Sequence, residues 1–362
     1  MPEDRPDFTD IQIAYLYQGG ATQEEISKEL GGMSQSKVSR RIKEAFEIGL
    51  LVKSEIEFNP RKIPEQHRLA YESMFGEVSD IPELKEMSKN FKNATVLPTD
   101  SFDERVSLII PDLVAEAKVI GVGFGKTCRR VLDKIKTEKK IGPDTHVIPI
   151  QGEPLFFINR NALKYSPSRL AVVLEDALID KGDRVKVRKE TNHSLVGVPA
   201  YIGDSKLKDS VEAFYSQLPG YQNIFGKGGL AGKMDCFICG VGMLDPENDD
   251  RSGVFIRERI VQLPEQEDRI RKICVGDYGG LLLPRKRSHK AEISKLNQGW
   301  VGLTDNRLRE VAATWQNGSG PGSIAIAIGE HKAEAILAAV NADYISHLIV
   351  DAALARAIKN II

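Results

Sequence analysis

Residues 22–43 read Thr22-Gln-Glu-Glu-Ile-Ser-Lys-Glu-Leu-Gly-Gly-Met-Ser-Gln-Ser-Lys-Val-Ser-Arg-Arg-Ile-Lys43. The stretch specifies two short helices and the corner between them. Thr22 and Glu25 have capping-box spacing: the hydroxyl accepts from a first-turn N–H while the carboxylate reaches back, so a helix is predicted from Gln23. Gly31-Gly32 stops it, since a chain leaving a helix through the left-handed region favours glycine. Ser34 stands where the next N-cap belongs, and Val38, Ile42, Ala45 and Phe46 carry an apolar stripe to about Ile48, before Gly49.

Working outward, Ile11, Ala14 and Tyr15 mark one face of an earlier helix, and Ile26 and Leu30 one face of the middle helix. Three such stripes can close one small core. Val52, Ile56 and Phe58 have strand spacing, so Leu50–Phe58 suits a wing or hairpin. With the apolar stripe on one side of the third helix, Ser36, Arg40 and Lys43 must project from the other, flanked by Lys37 and Ser39. Between Ser34 and Lys43 there are four basic residues and no acid, although residues 1–62 carry nine Lys/Arg against eleven Asp/Glu. The positive charge is local. A solvated helix face also looks like this, but the second helix of a helix-turn-helix presents such side chains to bases and phosphates. Ser34, Gln35, Ser36, Lys37, Ser39, Arg40 and Lys43 are the candidate DNA contacts.

The whole chain has 362 residues, which suits two domains better than one core. Apolar residues make up 41% and charged residues 28%, close to globular averages, which argues against a disordered or fibrous chain. The net charge of −1 leaves nucleic-acid binding open, since distribution matters more than the total. No apolar run approaches the roughly 20 residues that span a bilayer, and no signal-like segment is visible, so the expected location is the cytoplasm, with no membrane partner. Four scattered cysteines do not make a disulfide framework. Cys236 and Cys239 form a C-x-x-C inside an apolar run that reads as a buried strand, where they would face opposite sides, so no metal is expected there.

Residues 60–93 are charged, contain Pro64 and Pro82, and read as a linker with helical pieces such as Leu69–Phe75. Beyond it, strand-length apolar runs alternate with amphipathic stretches: Val119–Val122, His146–Ile150, Cys236–Val241, Ile273–Val275, Ile324–Ile328 and His347–Val350. That alternation predicts an α/β domain with a largely parallel sheet and helices on both faces. The domains expected are thus 1–59, a DNA-binding helix-turn-helix; 60–93, the linker; and 94–362, a ligand-binding and oligomerisation domain.

Three segments of the second domain offer ligand chemistry. Val119-Ile-Gly-Val-Gly-Phe-Gly-Lys-Thr127 runs from a strand through a glycine-rich loop to a helix start near Thr127, a place where backbone N–H groups can meet an anion. A P-loop would need glycine at Ile120 and a dinucleotide fingerprint glycine at Lys126, so neither nucleotide is supported, and a tight turn without ligand stays open. Ile324-Ala-Ile-Ala-Ile-Gly-Glu-His-Lys332 repeats the pattern, with Lys332 in the first turn, where a cation opposes the helix dipole unless an anion accompanies it. Glu330 or Glu334 could also balance it. Val275-Gly-Asp-Tyr-Gly-Gly280 ends a strand in a carboxylate that can accept from sugar hydroxyls or merely close a turn.

These motifs resemble the SorC family of sugar-responsive bacterial regulators in order along the chain. The resemblance rests on Thr22-Gln-Glu-Glu-Ile26, Leu30-Gly31, Ser36-Lys-Val-Ser-Arg40, Gly123-Phe-Gly-Lys-Thr127, Gly240-Val-Gly-Met-Leu-Asp-Pro246, Val275–Gly280 and Gly329–Ile336. It implies a winged helix-turn-helix, a Rossmann-like sugar-binding domain related to sugar-phosphate isomerases, and a homo-oligomer, dimer or tetramer, on double-stranded operator DNA. It also implies a sugar, polyol or sugar-phosphate effector held by Gly123, Phe124, Gly125, Lys126, Thr127, Gln151, Gly152, Asp277 and Lys332, with no cofactor and no catalysis. The chain departs from the pattern in a turn one residue longer at Gly31-Gly32-Met33, in Gln151-Gly-Glu153 where a glycine-rich turn is usual, and in Glu330 after Gly329. The function expected is a regulator, a repressor of a carbohydrate or polyol operon. The competing reading is a sugar-phosphate isomerase with Asp277 or Glu153 as general base.

Overall fold

In a computed structural model the described residues are 6–18, 21–52, 57–58, 80–136, 141–142, 144–154, 162–179, 197–245 and 252–362. The helical stretch expected at Leu69–Phe75 lies outside them, as do Ile56 and Pro246. The chain divides into two compact units, Met1–Ser79 and Asp80–Ile362.

The smaller unit holds helices α1 (Phe8–Gln18), α2 (Gln23–Glu29) and α3 (Gln35–Glu47), then strands β1 (Leu51–Val52) and β2 (Glu57–Phe58), antiparallel with Leu51 opposite Phe58. The predicted capping box is present: Thr22 accepts from the Glu25 N–H at 3.3 Å and its own N–H donates to Glu25 Oε2 at 2.7 Å. Gly31 and Gly32 take φ of +71° and +82° at the corner. Ile11, Ala14, Ile26, Val38, Ile42, Ala45, Leu50 and Leu51 are buried together, so the three stripes share one core.

In the larger unit six parallel strands lie in the order β3 (Asn93–Leu97), β10 (His347–Asp351), β9 (Gly322–Ala327), β6 (Cys236–Met243), β4 (Val119–Val122) and β5 (His146–Pro149). The last residues of β6 continue as one edge of an antiparallel meander with β7 (Cys274–Tyr278) and β8 (Leu281–Pro284). Ile120, Val122, Val147, Ile238, Ile324, Ile326 and Ile349 pack under the helices Phe102–Leu113, Lys126–Leu132 and Pro167–Leu178. Intervening residues such as Phe237 and Ala325 face the other side and are equally buried, so the sheet is covered on both faces. The Asp235 carboxylate accepts from the N–H groups of Lys118 and Val119, fixing where β4 starts beside β6. Asp80–Lys92, from the stretch read as linker, pack on this larger unit: the Asn90 amide donates to the carbonyls of Asp343 and Arg309. Cys236 and Cys239 lie within β6, both buried, and no cluster of His, Cys, Asp or Glu suited to a metal occurs among the described residues. No described helix is long and apolar enough to cross a membrane.

Candidate functional site

The helix α3 is amphipathic to its ends. Val38, Ile42 and Ala45 are buried, whereas Ser34, Gln35, Ser36, Lys37, Ser39, Arg40 and Lys43 are all exposed on its outer side and around its first turn. Ser34 occupies the N-cap position, but its hydroxyl caps nothing and lies 3.2 Å from Ser36 Oγ. The first-turn N–H groups of α3 thus have no side-chain cap, and such groups are suited to a phosphate oxygen. Arg40 and Lys43 reach Glu44 and Glu47 one turn on, at 3.5 and 3.9 Å, with all four side chains more than half exposed; such pairs are weak and open readily to a stronger anion. Arg41 is different. Its guanidinium faces α1 and binds Asp7 at 2.7 Å and Asp10 at 2.5 Å, and those two carboxylates hold its pKa above the usual arginine value. Arg41 therefore ties α3 to α1, and the outward basic face consists of Lys37, Arg40 and Lys43.

In the larger unit a cleft of about 820 Å³ opens at the carboxyl ends of β4, β6 and β9, where ligands of open α/β sheets bind. Of the residues expected to hold a ligand, Phe124, Gly125, Lys126, Thr127, Asp277 and Lys332 line it. Gly123, Gln151 and Gly152 do not. A side chain at Gly123 would run into Cys239 Sγ, so the glycine lets the loop sit down on β6. Gln151 is fully buried and its backbone bridges Gly302, while Gly152 is pressed against the carbonyls of Val198 and Pro199. Both serve the packing of three chain segments beside the cleft.

Residues not singled out from the sequence complete the lining. Arg130 follows Lys126 by one helical turn, a spacing that would have placed it on the same face. It is held by a two-point ion pair to Asp103, at 2.7 and 3.1 Å. Arg257, Asp245 and His331 have no comparable local signal. Cationic side chains at Lys126, Arg130, Arg257 and Lys332 outnumber the two lining carboxylates, Asp245 and Asp277, so the cleft is suited to an anion. Lys332 is half-buried in the turn that leads into helix Ala333–Asn341, and burial pushes its ammonium below the usual lysine range. Phe124, Phe255 and Trp300 stack edge to face in series, at 5.5 and 5.1 Å between centroids, with Tyr165 against Phe124; Phe124, Phe255 and Tyr165 make an aromatic wall.

Asp277 is the acidic counterpart. Glycines at 242 and 253 admit its carboxylate, because a Cβ at either would come within 2.0 and 2.4 Å of Oδ1. The Gly280 N–H donates to it, while Oδ1 itself, though buried, has no hydrogen-bond partner among the described residues. Burial raises its pKa to about 6, against the opposing fields of Arg259 and Lys332. A carboxyl whose folded pKa lies above its unfolded value ionises first in the unfolded chain, so the unfolded state holds fewer protons across that window. Stability measured by urea unfolding is therefore expected to fall as pH rises from about 4 to about 6, by on the order of 2–3 kcal/mol from this group. Asp277→Asn should flatten that part of the profile; an unchanged fall would show that Asp277 ionises normally. Glu153, the other carboxylate considered as a base, is buried outside the cleft lining and accepts from Ser166 Oγ at 2.7 Å.

Residues 294–360 match the family described as "Putative sugar-binding domain". No curated protein matches the chain in sequence. Among solved structures, the chain has the fold of the full-length sorbitol operon regulator SorC from Klebsiella pneumoniae, with a TM-score of 0.55, 18% identity, and coverage of 96% of this chain and 97% of that one. A transcriptional regulator from Streptococcus pneumoniae gives 0.56 at 16% identity, covering 82% and 98%. A DeoR family transcriptional regulator from Listeria monocytogenes gives 0.51 at 17%, covering 81% and 98%. The mixed α/β architecture is thus that of SorC-type regulators with sugar-binding domains.

Proposed function

We propose that the protein is a sugar-responsive transcriptional regulator, in which α3 binds operator DNA and the cleft binds a sugar, polyol or sugar phosphate that alters operator affinity. The observation that carries this reading is the convergence of Phe124–Thr127, Asp277 and Lys332, from three distant parts of the chain, on one cleft in a protein that also carries an exposed basic α3. A surplus of cations with one buried carboxylate favours a ligand that is anionic at one end and rich in hydroxyls at the other. The neighbours' names, a sorbitol operon regulator among them, support a carbohydrate or polyol operon as the target; the sign proposed is repression. A homo-oligomer of two or four chains accords with this, since a pair of α3 helices would match palindromic half-sites. Such a regulator needs two coupled sites and no catalytic group.

The test is a gel-shift titration on DNA from the protein's own upstream region, repeated with sugars, polyols and their phosphates. A specific shift that one phosphorylated compound alters is the expected result. No shift at low salt, with turnover of a sugar phosphate instead, would replace this reading by the isomerase one. Arg40→Ala is expected to weaken operator binding by about 1–3 kcal/mol, as for loss of a guanine contact, without changing ligand affinity. Equal DNA binding by the variant would remove Arg40 from the contact set.

A further inference from the structure

Helix Ala333–Asn341 runs between two places with different tasks. At its start stands Lys332, on the cleft, and partway along it Ala335 is packed so closely on β7 that a Cβ at Gly276, next to Asp277, would lie 2.6 Å from the Ala335 methyl. The helix is 9 residues long, roughly 13 Å at 1.5 Å per residue, and the chain turns away just beyond its end at Asp343. Its φ of +62° is unusual for a residue with a side chain, and no other non-glycine residue among the described ones has a positive φ.

Asp343 is where the beginning of the larger unit is fastened. Its carboxylate accepts from Ser88 Oγ at 2.6 Å, and its carbonyl accepts from the Asn90 amide at 2.9 Å. Trp315 Nε1 donates to the Asn90 carbonyl at 2.6 Å, and the Lys92 ammonium sits over the Trp315 ring. Arg309 joins the two turns by donating to Ala342 O at 2.9 Å while its own carbonyl accepts from Asn90. The short helix Leu84–Met87 packs on helix Ala333–Asn341 as well. Ser88 and Asn90 are thus held just beyond the far end of the same helix whose near end carries a ligand-facing cation, and in sequence they follow within about a dozen residues of the unit that contains α3. With Ala333, Ala335, Ile336, Leu337, Ala339 and Val340 all buried, the helix is packed along its length and will move as a body.

We infer that helix Ala333–Asn341 is a strut that transmits occupancy of the cleft at Lys332 to the clamp formed by Asp343 with Ser88 and Asn90. An anion on Lys332 shifts the helix, and the clamp answers by tightening or releasing residues 88–92. The inference rests on the ligand reading of the cleft.

Inorganic phosphate is the probe, used at saturation on the full-length protein, with amide hydrogen exchange as the readout. In the wild type, phosphate is expected to slow exchange at residues 126–130 and to change exchange at residues 88–93 by at least threefold. Asn90→Ala, distant from the cleft, should keep the first response with unchanged phosphate affinity and lose the second. Lys332→Ala should lose both. If phosphate protects 126–130 in the wild type and leaves 88–93 untouched, the strut is refuted while the cleft remains a ligand site. The strut is equally refuted if Asn90→Ala retains the full response at its remaining clamp amides. If phosphate protects neither segment, the anion reading of the cleft falls and the strut with it.

Discussion

Lys332→Ala is expected to weaken binding of an anionic ligand by about 2–3 kcal/mol, roughly 30- to 150-fold, the range for losing a hydrogen bond to a charged group in a largely desolvated site. The ammonium is half-buried on the cleft, and its pKa is held down by desolvation. An anion bound there would restore what burial removes, which is why the effect should exceed that of an exposed lysine. The unliganded variant should be no less stable, since the substitution relieves a cation of its burial cost, and its operator affinity without ligand should equal that of the wild type. Isothermal calorimetry with the compound found in the gel-shift panel measures the first, and urea unfolding the second. Wild-type ligand affinity in the variant would remove Lys332 from the site.

Gly280→Ala is expected to destabilise the larger unit by on the order of 3 kcal/mol. Gly280 has a φ of +83°, where a side chain costs about 1–2 kcal/mol, and a Cβ there would lie 1.8 Å from the Trp300 ring. The ring has little freedom to withdraw. It is packed against Phe255 on one side and Arg259 on another, and Arg259 is a fully buried guanidinium that donates to the carbonyls of Gly280 and Phe255 at 2.7 and 2.9 Å. Displacing the ring would disturb those bonds and, through the Gly280 N–H, the support of Asp277. The variant should therefore unfold at lower urea and bind ligand more weakly even where it is folded, while Gly279→Ala, with only ordinary contacts around its Cβ position, should cost less. Equal midpoints for the two variants would mean that Trp300 yields and that packing here is loose.

Much of the smaller unit was legible because its determinants are local. The capping box, the glycine corner and three apolar stripes act between residues three or four apart, so the side of α3 left for solvent followed from spacing alone. Arg41 shows the limit of that logic. It sits among Lys37, Arg40 and Lys43 in the sequence, but its partners are Asp7 and Asp10, more than thirty residues away, and only the packing of α1 on α3 brings them together. In the larger unit six strands were visible as apolar runs, whereas β3 and β8 were not. Asn93–Leu97 begins at the end of a charged segment, and Leu281–Pro284 is short, so each is stabilised chiefly by the neighbour it pairs with, β10 and β7.

By itself the sequence determined the alternation of strand and helix, the outward face of α3, and three glycine-marked turns able to meet a ligand, since propensity, capping and periodicity are properties of neighbouring residues. Which of those turns share a cleft was decided by the strand order β5-β4-β6-β9, and the folded chain gathers Gly125, Gly240 and Lys332 into one lining with Arg130 and Arg257. The same topology buried Gln151 against Gly302 and gave Asp277 a site in which two glycines and the surrounding desolvation, rather than its immediate neighbours in the chain, raise its pKa. Burial and electric field are sums over everything packed around a group, and that sum exists only once the chain has folded.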